Sequence, residues 1–154
     1  MYKYILNIFL LIPILLLGND YNLDIDSLNE KAKEYIYIDL DSAYYFANRA
    51  VILSKHHQYK QGEMDGSFQL GRIYLDQARR VVALESGIES LKIADEIDSY
   101  EGKKNAYNLL SKIYNHSNRL EEGIKTSNLI LNLAKEEQDS IQIAKTYNFL
   151  GIFK

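Results

Sequence analysis

The sequence predicts an all-α protein, a solenoid of antiparallel helix pairs. Three observations predict it. The segments "FQLGRIY" (Phe68–Tyr74), "NLLSKIY" (Asn108–Tyr114) and "NFLGIFK" (Asn148–Lys154) stand 40 residues apart. Apolar positions within the repeat follow helical spacing: Leu70, Ile73 and Tyr74 share one face, and so do Leu91 and Ala94. Breakers are scarce, with one proline among 154 residues, while 13 tyrosines supply large amphipathic rings. A repeat of this length marks a stacked array, in which each unit buries its apolar face on the next.

Residues 1–18 are of a different material. Lys3 precedes an apolar run of 14 residues from Tyr4 to Leu17, broken only by Asn7 and Pro13 and followed by Gly18. A basic end, a short apolar core and a small residue are the order of a signal peptide. The run is shorter than the roughly 18–20 residues that cross a bilayer as a helix. The residue three before a cut at Gly18 is the large Leu16, so an uncleaved N-terminal anchor is the alternative. Export across the cytoplasmic membrane is expected, leaving the chain periplasmic or membrane-anchored. Loss of Lys3 with this leader takes the net charge from −3 to −4.

The repeat domain is expected over residues 24–154, with repeats at about 24–60, 61–100 and 101–139 and a partial one at 140–154. Helices are predicted from Asp24 to Tyr37, Asp41 to His57, Gln61 to Gln77, Arg80 to Ile97, Glu101 to His116, Arg119 to Glu137, and from Ser140 onward, seven in all. Between them stand "DLDS", "DSYEG", "NHSN" and "EEQDS", rich in residues that cap and turn. Asp41 is the expected N-cap of the second helix. Residues 61–100 and 101–140 share eight identities, namely Gly62, Leu70, Ile73, Tyr74, Arg79, Leu91, Ala94 and Glu96 with their partners. Gly62, in what reads as an exposed first turn, is expected to tolerate alanine.

These positions resemble the tetratricopeptide repeat family, which sets a large residue, Leu-Gly and Tyr on one helix, then small, large and Ala on the next. Leu70, Gly71 and Tyr74 match, followed by Gly87, Leu91 and Ala94. Leu110, Ser111 and Tyr114 match next with Ser127, Leu131 and Ala134, and Tyr147, Leu150 and Gly151 open a further unit. Leu28, Ala32 and Tyr35, with Ala47, Val51 and Ser54, form a looser first unit. The small residues let two helices approach, and Leu and Tyr fill the hollow beside each contact. The period of 40 exceeds the family's usual length of about 34, and the family's proline after the second helix is missing. Long-period arrays of this kind are similar to sensor regions of bacterial signalling proteins.

The resemblance implies a right-handed superhelix with a concave face lined by the first helix of each pair. Carried over by register, that face holds Phe68, Arg72 and Asp76, then Asn105, Asn108, Lys112 and His116, then Lys145 and Asn148. Asparagine amides suit the backbone of an extended peptide, and Arg72, Lys112 and Lys145 suit acidic groups. The carboxylate clamp of some family members is not implied, because its places hold Phe68 with Arg72, Asn108 with Lys112, and Asn148 with Ile152.

No chemistry is indicated. The chain has no cysteine, which removes disulfides and thiolate sites. His56 and His57 are adjacent on a helix and point about 100° apart, poorly placed to share a metal. The acids Asp95, Glu96, Asp98, Glu121 and Glu122 read as caps and solvated faces. No phosphate loop, dinucleotide fingerprint or Gly-x-Ser-x-Gly turn is present. The net charge of −3 gives no bulk attraction to nucleic acid. The expected function is a non-catalytic scaffold, without cofactor, whose partner is a protein or peptide. The alternative is the sensor part of a longer signal-transduction protein. The repeat stops in mid-pattern at "YNFLGIF" (Tyr147–Phe153), which leaves three readings: this helix closes the stack itself, the exposed face pairs with a second copy, or, the favoured expectation, the sequence is a fragment of a longer protein.

Overall fold

The computed structural model describes residues 20–151, and the sequence-predicted leader, Ile152, Phe153 and Lys154 lie outside them. The described residues form seven helices and no strand: α1 at 20–35, α2 Leu40–His57, α3 Lys60–Asp76, α4 Arg80–Glu96, α5 Tyr100–His116, α6 Leu120–Glu136 and α7 Ser140–Gly151. From α2 to α7 each helix packs on the next, and α3 also touches α5. None of these helices is long and apolar enough to cross a membrane.

The helices start every 20 residues, half the interval legible in the sequence. The turns explain this finer spacing. Gln58, Ala78, Asp98, Asn118 and Gln138 all have positive φ, between 51° and 58°. The residue after each donates its N–H to the carbonyl five positions back: Tyr59 to Ser54, Arg79 to Tyr74, Ser99 to Ala94, Arg119 to Tyr114 and Asp139 to Ala134, at 2.8–2.9 Å. These are Schellman turns, which satisfy the carbonyls orphaned at a helix end. The guanidiniums of Arg79 and Arg119 also lie 4.7 and 4.8 Å from the rings of Tyr74 and Tyr114. That contact accounts for an arginine and a tyrosine recurring at this spacing.

None of the five left-handed positions is glycine. Alanine has no polar side chain to ease that conformation, so Ala78 carries the clearest strain. Ala78→Gly is expected to raise stability by about 0.5–1 kcal/mol, less the entropy that glycine restores to the unfolded chain. A denaturant midpoint unchanged or lowered would show that the turn costs nothing at this residue.

Helix starts are less uniform. Asp39, not Asp41, caps α2: its carboxylate accepts from the N–H groups of Asp41 (3.3 Å) and Ser42 (3.1 Å), and from the Ser42 hydroxyl. Its pKa is lowered, first by the Ser42 side chain and then by those backbone donors. The helix begins one residue earlier than its acidic turn suggested, so Asp41 falls within its first turn. Ser99 and Asp139 cap α5 and α7 through the N–H groups of Gly102 and Gln142.

Small residues set the close approaches. A Cβ on Gly71 would lie 3.4 Å from the Ala83 carbonyl and the Gly87 nitrogen, so α3 and α4 meet almost backbone to backbone. At the corresponding crossing of α5 and α6, the Ser111 and Ser127 hydroxyls lie 2.8 Å apart, and Ser127 donates to the Gly123 carbonyl. Ile73 sits at the meeting of α1, α2 and α3, packed with Ala32, Ile36, Ala43 and Ala47. Ile113 does the same with Ala83 and Leu109. Ala94, Leu110, Leu131 and Ala134 are buried, and Leu70, Tyr74, Leu91 and Tyr114 are half-buried.

Two sequence expectations are corrected. Gly62 is buried, and a Cβ there would come within 2.5 Å of Ile25, 2.6 Å of Ser54 and 2.7 Å of Tyr59. Alanine at this place is therefore destabilising rather than neutral. The sequence concealed this because the contacts come from α1, α2 and the turn before α3, outside the repeat comparison. Tyr147, read as a core position, is 53% exposed, and Gly151 is exposed with nothing within 4 Å of a Cβ. Among the described residues no helix follows α7 to cover this side; Leu150 is half-buried.

Candidate functional site

A groove of about 1320 Å³ opens where α3, α5 and α7 lie side by side. Eight of the nine sequence-predicted face positions line it: Phe68, Arg72 and Asp76 from α3, Asn105, Asn108, Lys112 and His116 from α5, and Lys145 from α7. The ninth, Asn148, is exposed and is not among its walls. The shared register explains the convergence. Residues 40 apart occupy like places on successive first helices, and residues three or four apart on one helix share its face.

Arg72 is held on every side. Its guanidinium donates to Gln69 (3.0 Å) and to the Tyr37 hydroxyl (3.0 Å), between the rings of Tyr37 and Phe68, each centred 5.8 Å away. A cation beside two aromatic faces is favourably placed, and its spread of donors suits a carboxylate. Lys112 stands at the equivalent place on α5 and is exposed, without an ion pair among the described residues. Lys145 on α7 is in the same condition.

Asn108 differs from its expected role, because its amide is already engaged. It donates to the Gln142 carbonyl (3.4 Å) and accepts from the Gln142 amide (3.1 Å), which also reaches Thr146. This reciprocal pair ties α5 to α7 across the floor of the groove. Asn105, one turn away, is exposed, and no side-chain amide pairs with it among the described residues.

At one rim Lys104 contacts Glu101 (2.5 Å) and Asp139 (3.4 Å), and Asp139 accepts from the Tyr100 hydroxyl at 2.8 Å. Burial, with this bond to a carboxylate, pushes the Tyr100 hydroxyl's pKa well up. The Asp139 carboxyl is held low, first by the Gln142 N–H and then by Tyr100. The cluster therefore keeps a neutral phenol and an ionised cap, a bracing arrangement rather than a proton-transfer pair.

Sequence reasoning missed Gln142 and Tyr37. Gln142 falls in register with Gly62 and Gly102, so the repeat comparison pairs it with buried glycines and hides a polar side chain. Tyr37 stands in the turn before α2, which lacks the left-handed geometry of the later turns. His56 and His57 lie at the end of α2, and His57 stacks on Tyr21 at 4.2 Å. Among the described residues no group of three potential ligands is placed to hold a metal ion.

The groove walls contribute five cationic side chains, Arg72, Arg80, Lys104, Lys112 and Lys145, against the acids Asp76, Glu101 and Asp139. Two of the three acids are spent on Lys104. The surface is therefore locally electropositive on a chain whose net charge is −3. A scan against protein-family models finds no match to this chain, and a search of curated proteins finds none.

Proposed function

We propose that this chain is a non-catalytic interaction scaffold of tetratricopeptide type, a right-handed superhelical solenoid that holds an extended peptide or protein segment in its groove. The single observation that carries the reading is the convergence of α3, α5 and α7 on one groove through side chains in a 40-residue register. An extended segment fits such a face, since its backbone donors and acceptors are free to meet asparagine amides. Excess cationic charge favours acidic segments and speeds their encounter.

Asn105 and Lys112 are the residues to test, because both are exposed and Asn108 is committed to Gln142. In a peptide-library screen on the full chain, Lys112→Ala is expected to weaken acidic peptides most and to flatten the salt dependence. Exposed charge attraction is screened beyond about 8 Å at physiological ionic strength. Asn105→Ala is expected to weaken peptides of all compositions alike. Neither change should lower the melting temperature. Unchanged binding by the double variant, with the fold intact, would place the working surface elsewhere.

A further inference from the structure

Tyr37 is 83% exposed, so burial does not account for where its ring lies. Its backbone is pinned on both sides. Ile36 before it is buried, the N–H groups of Ile38 and Asp39 donate to the Tyr35 carbonyl at 2.9 and 2.8 Å, and Asp39 then caps α2. This corner carries the phenol to a fixed place on the groove wall. There the hydroxyl accepts from one guanidinium nitrogen of Arg72, and Gln69 accepts from the other, each at 3.0 Å. The two bonds leave further N–H donors of the guanidinium unused. No carboxylate among the described residues stands within ion-pair distance of Arg72. The cation is thus oriented without being neutralised.

Resting on the peptide-holding reading above, we propose that the groove anchors its segment by one acidic side chain at Arg72, with Tyr37 as the residue that positions the guanidinium for it. A guanidinium held by two bonds, with a ring on either side, has already given up the side-chain freedom that binding would otherwise cost. Its planar fork matches a carboxylate, which the point charge of an ammonium does not. Lys112 holds the equivalent place on α5, the helix that touches α3, and being exposed it adds attraction to the same acid. Asp76, one turn along α3, is a groove acid with no ion pair among the described residues. A run of acids therefore meets repulsion here, and a single acid does not. Like charge of this kind acts through selection more than through raw affinity.

The probe is an octapeptide with one central aspartate among glycine, serine and leucine, blocked at both ends so that the aspartate is its only charge. Leucine is included because Leu75 and Ile141 line the groove. The reference is the same peptide with asparagine in place of aspartate. Binding of both to the full chain is followed by nuclear magnetic resonance titration, which reads weak affinity and locates the peptide. The aspartate probe is expected to bind about three- to tenfold more tightly, between the effect of an exposed ion pair and that of a buried charge-assisted bond. Arg72→Lys keeps the charge and loses the fork. Tyr37→Phe keeps a ring and loses the hydroxyl. Each should bring the ratio of the two affinities towards unity. Lys125→Gln, which removes a cation from an exposed place on α6 outside the groove, should leave the ratio unchanged.

A Tyr37 that only braces the fold gives a different result. Tyr37→Phe would then lower the melting temperature and weaken both peptides alike, which overturns the proposal. An Arg72→Lys variant that keeps the full preference for aspartate overturns it too, since the groove would then read charge without an anchor. So does a parent that binds the two peptides equally. All three results leave the groove a peptide site. If neither peptide binds the folded parent, the peptide-holding reading falls and the anchor with it. Circular dichroism checks that each variant folds, and Arg72→Lys alone decides if Tyr37→Phe does not.

Discussion

Gly71→Leu is expected to lower the melting temperature by roughly 10 °C, from about 3 kcal/mol of overpacking in a domain of this size. The cause is the backbone of α4. A Cβ at this place lies 2.7 Å from Leu109 Cδ2, a terminal methyl that can give way, and 3.4 Å from Ala83 O and Gly87 N, which cannot. Alanine is therefore a mild change, while the further carbons of leucine must separate α3 from α4. Gly151→Leu supplies the control, because nothing lies within 4 Å of its Cβ position. Thermal unfolding followed by far-ultraviolet dichroism checks both. Equal losses at the two glycines would remove the close crossing as the reason for the small residue.

Ile73→Ala is expected to cost about 2–5 kcal/mol, the range for emptying a closed apolar site of that many methyl groups. Ile73 is fully buried, and its cluster joins α1 and α2 to α3 through Ala32, Ile36, Ala43 and Ala47. Four alanine-sized or fixed neighbours have little freedom to collapse into the space. Ile52→Ala, at a half-exposed position on α2, should stay within about 0.5 kcal/mol. Denaturant titration separates the two, with the midpoint reporting stability and the slope reporting whether α1 has come loose. A slope that falls with the midpoint would mean that Ile73 holds the first pair to the rest.

Seven helices were legible in the sequence because apolar spacing and small residues repeat together. Their boundaries were legible to within a residue or two wherever Ser or Asp caps them. What the sequence concealed was the 20-residue period. The left-handed turn residues are Gln, Ala, Asp, Asn and Gln, so no glycine marks the place. Alternate helices also carry different residues on their faces, so only every second one looks alike. Eight of the nine expected face positions line the groove by register alone, Asn148 being the exception. The engagement of Asn108 by Gln142 did not follow from register, because a side-chain pair between residues 34 apart leaves no trace in a repeat comparison. Gly62 was misjudged for a similar reason, since its neighbours come from α1, α2 and the turn before α3.

The uniform turns have a mechanical consequence. From α2 onward each helix leans chiefly on its neighbours in sequence, and each is joined to the next by the same hydrogen-bonded corner. Under tension applied through its ends, such a chain behaves as a series of like links and has no single seam at which it must part. It peels from an end inward. Every link released frees 20 residues, a contour gain of about 70 Å at full extension. The Tyr37–Arg72 contact, from the turn before α2 to α3, and the Asn108–Gln142 pair, from α5 to α7, are among the braces that stiffen this series across the groove.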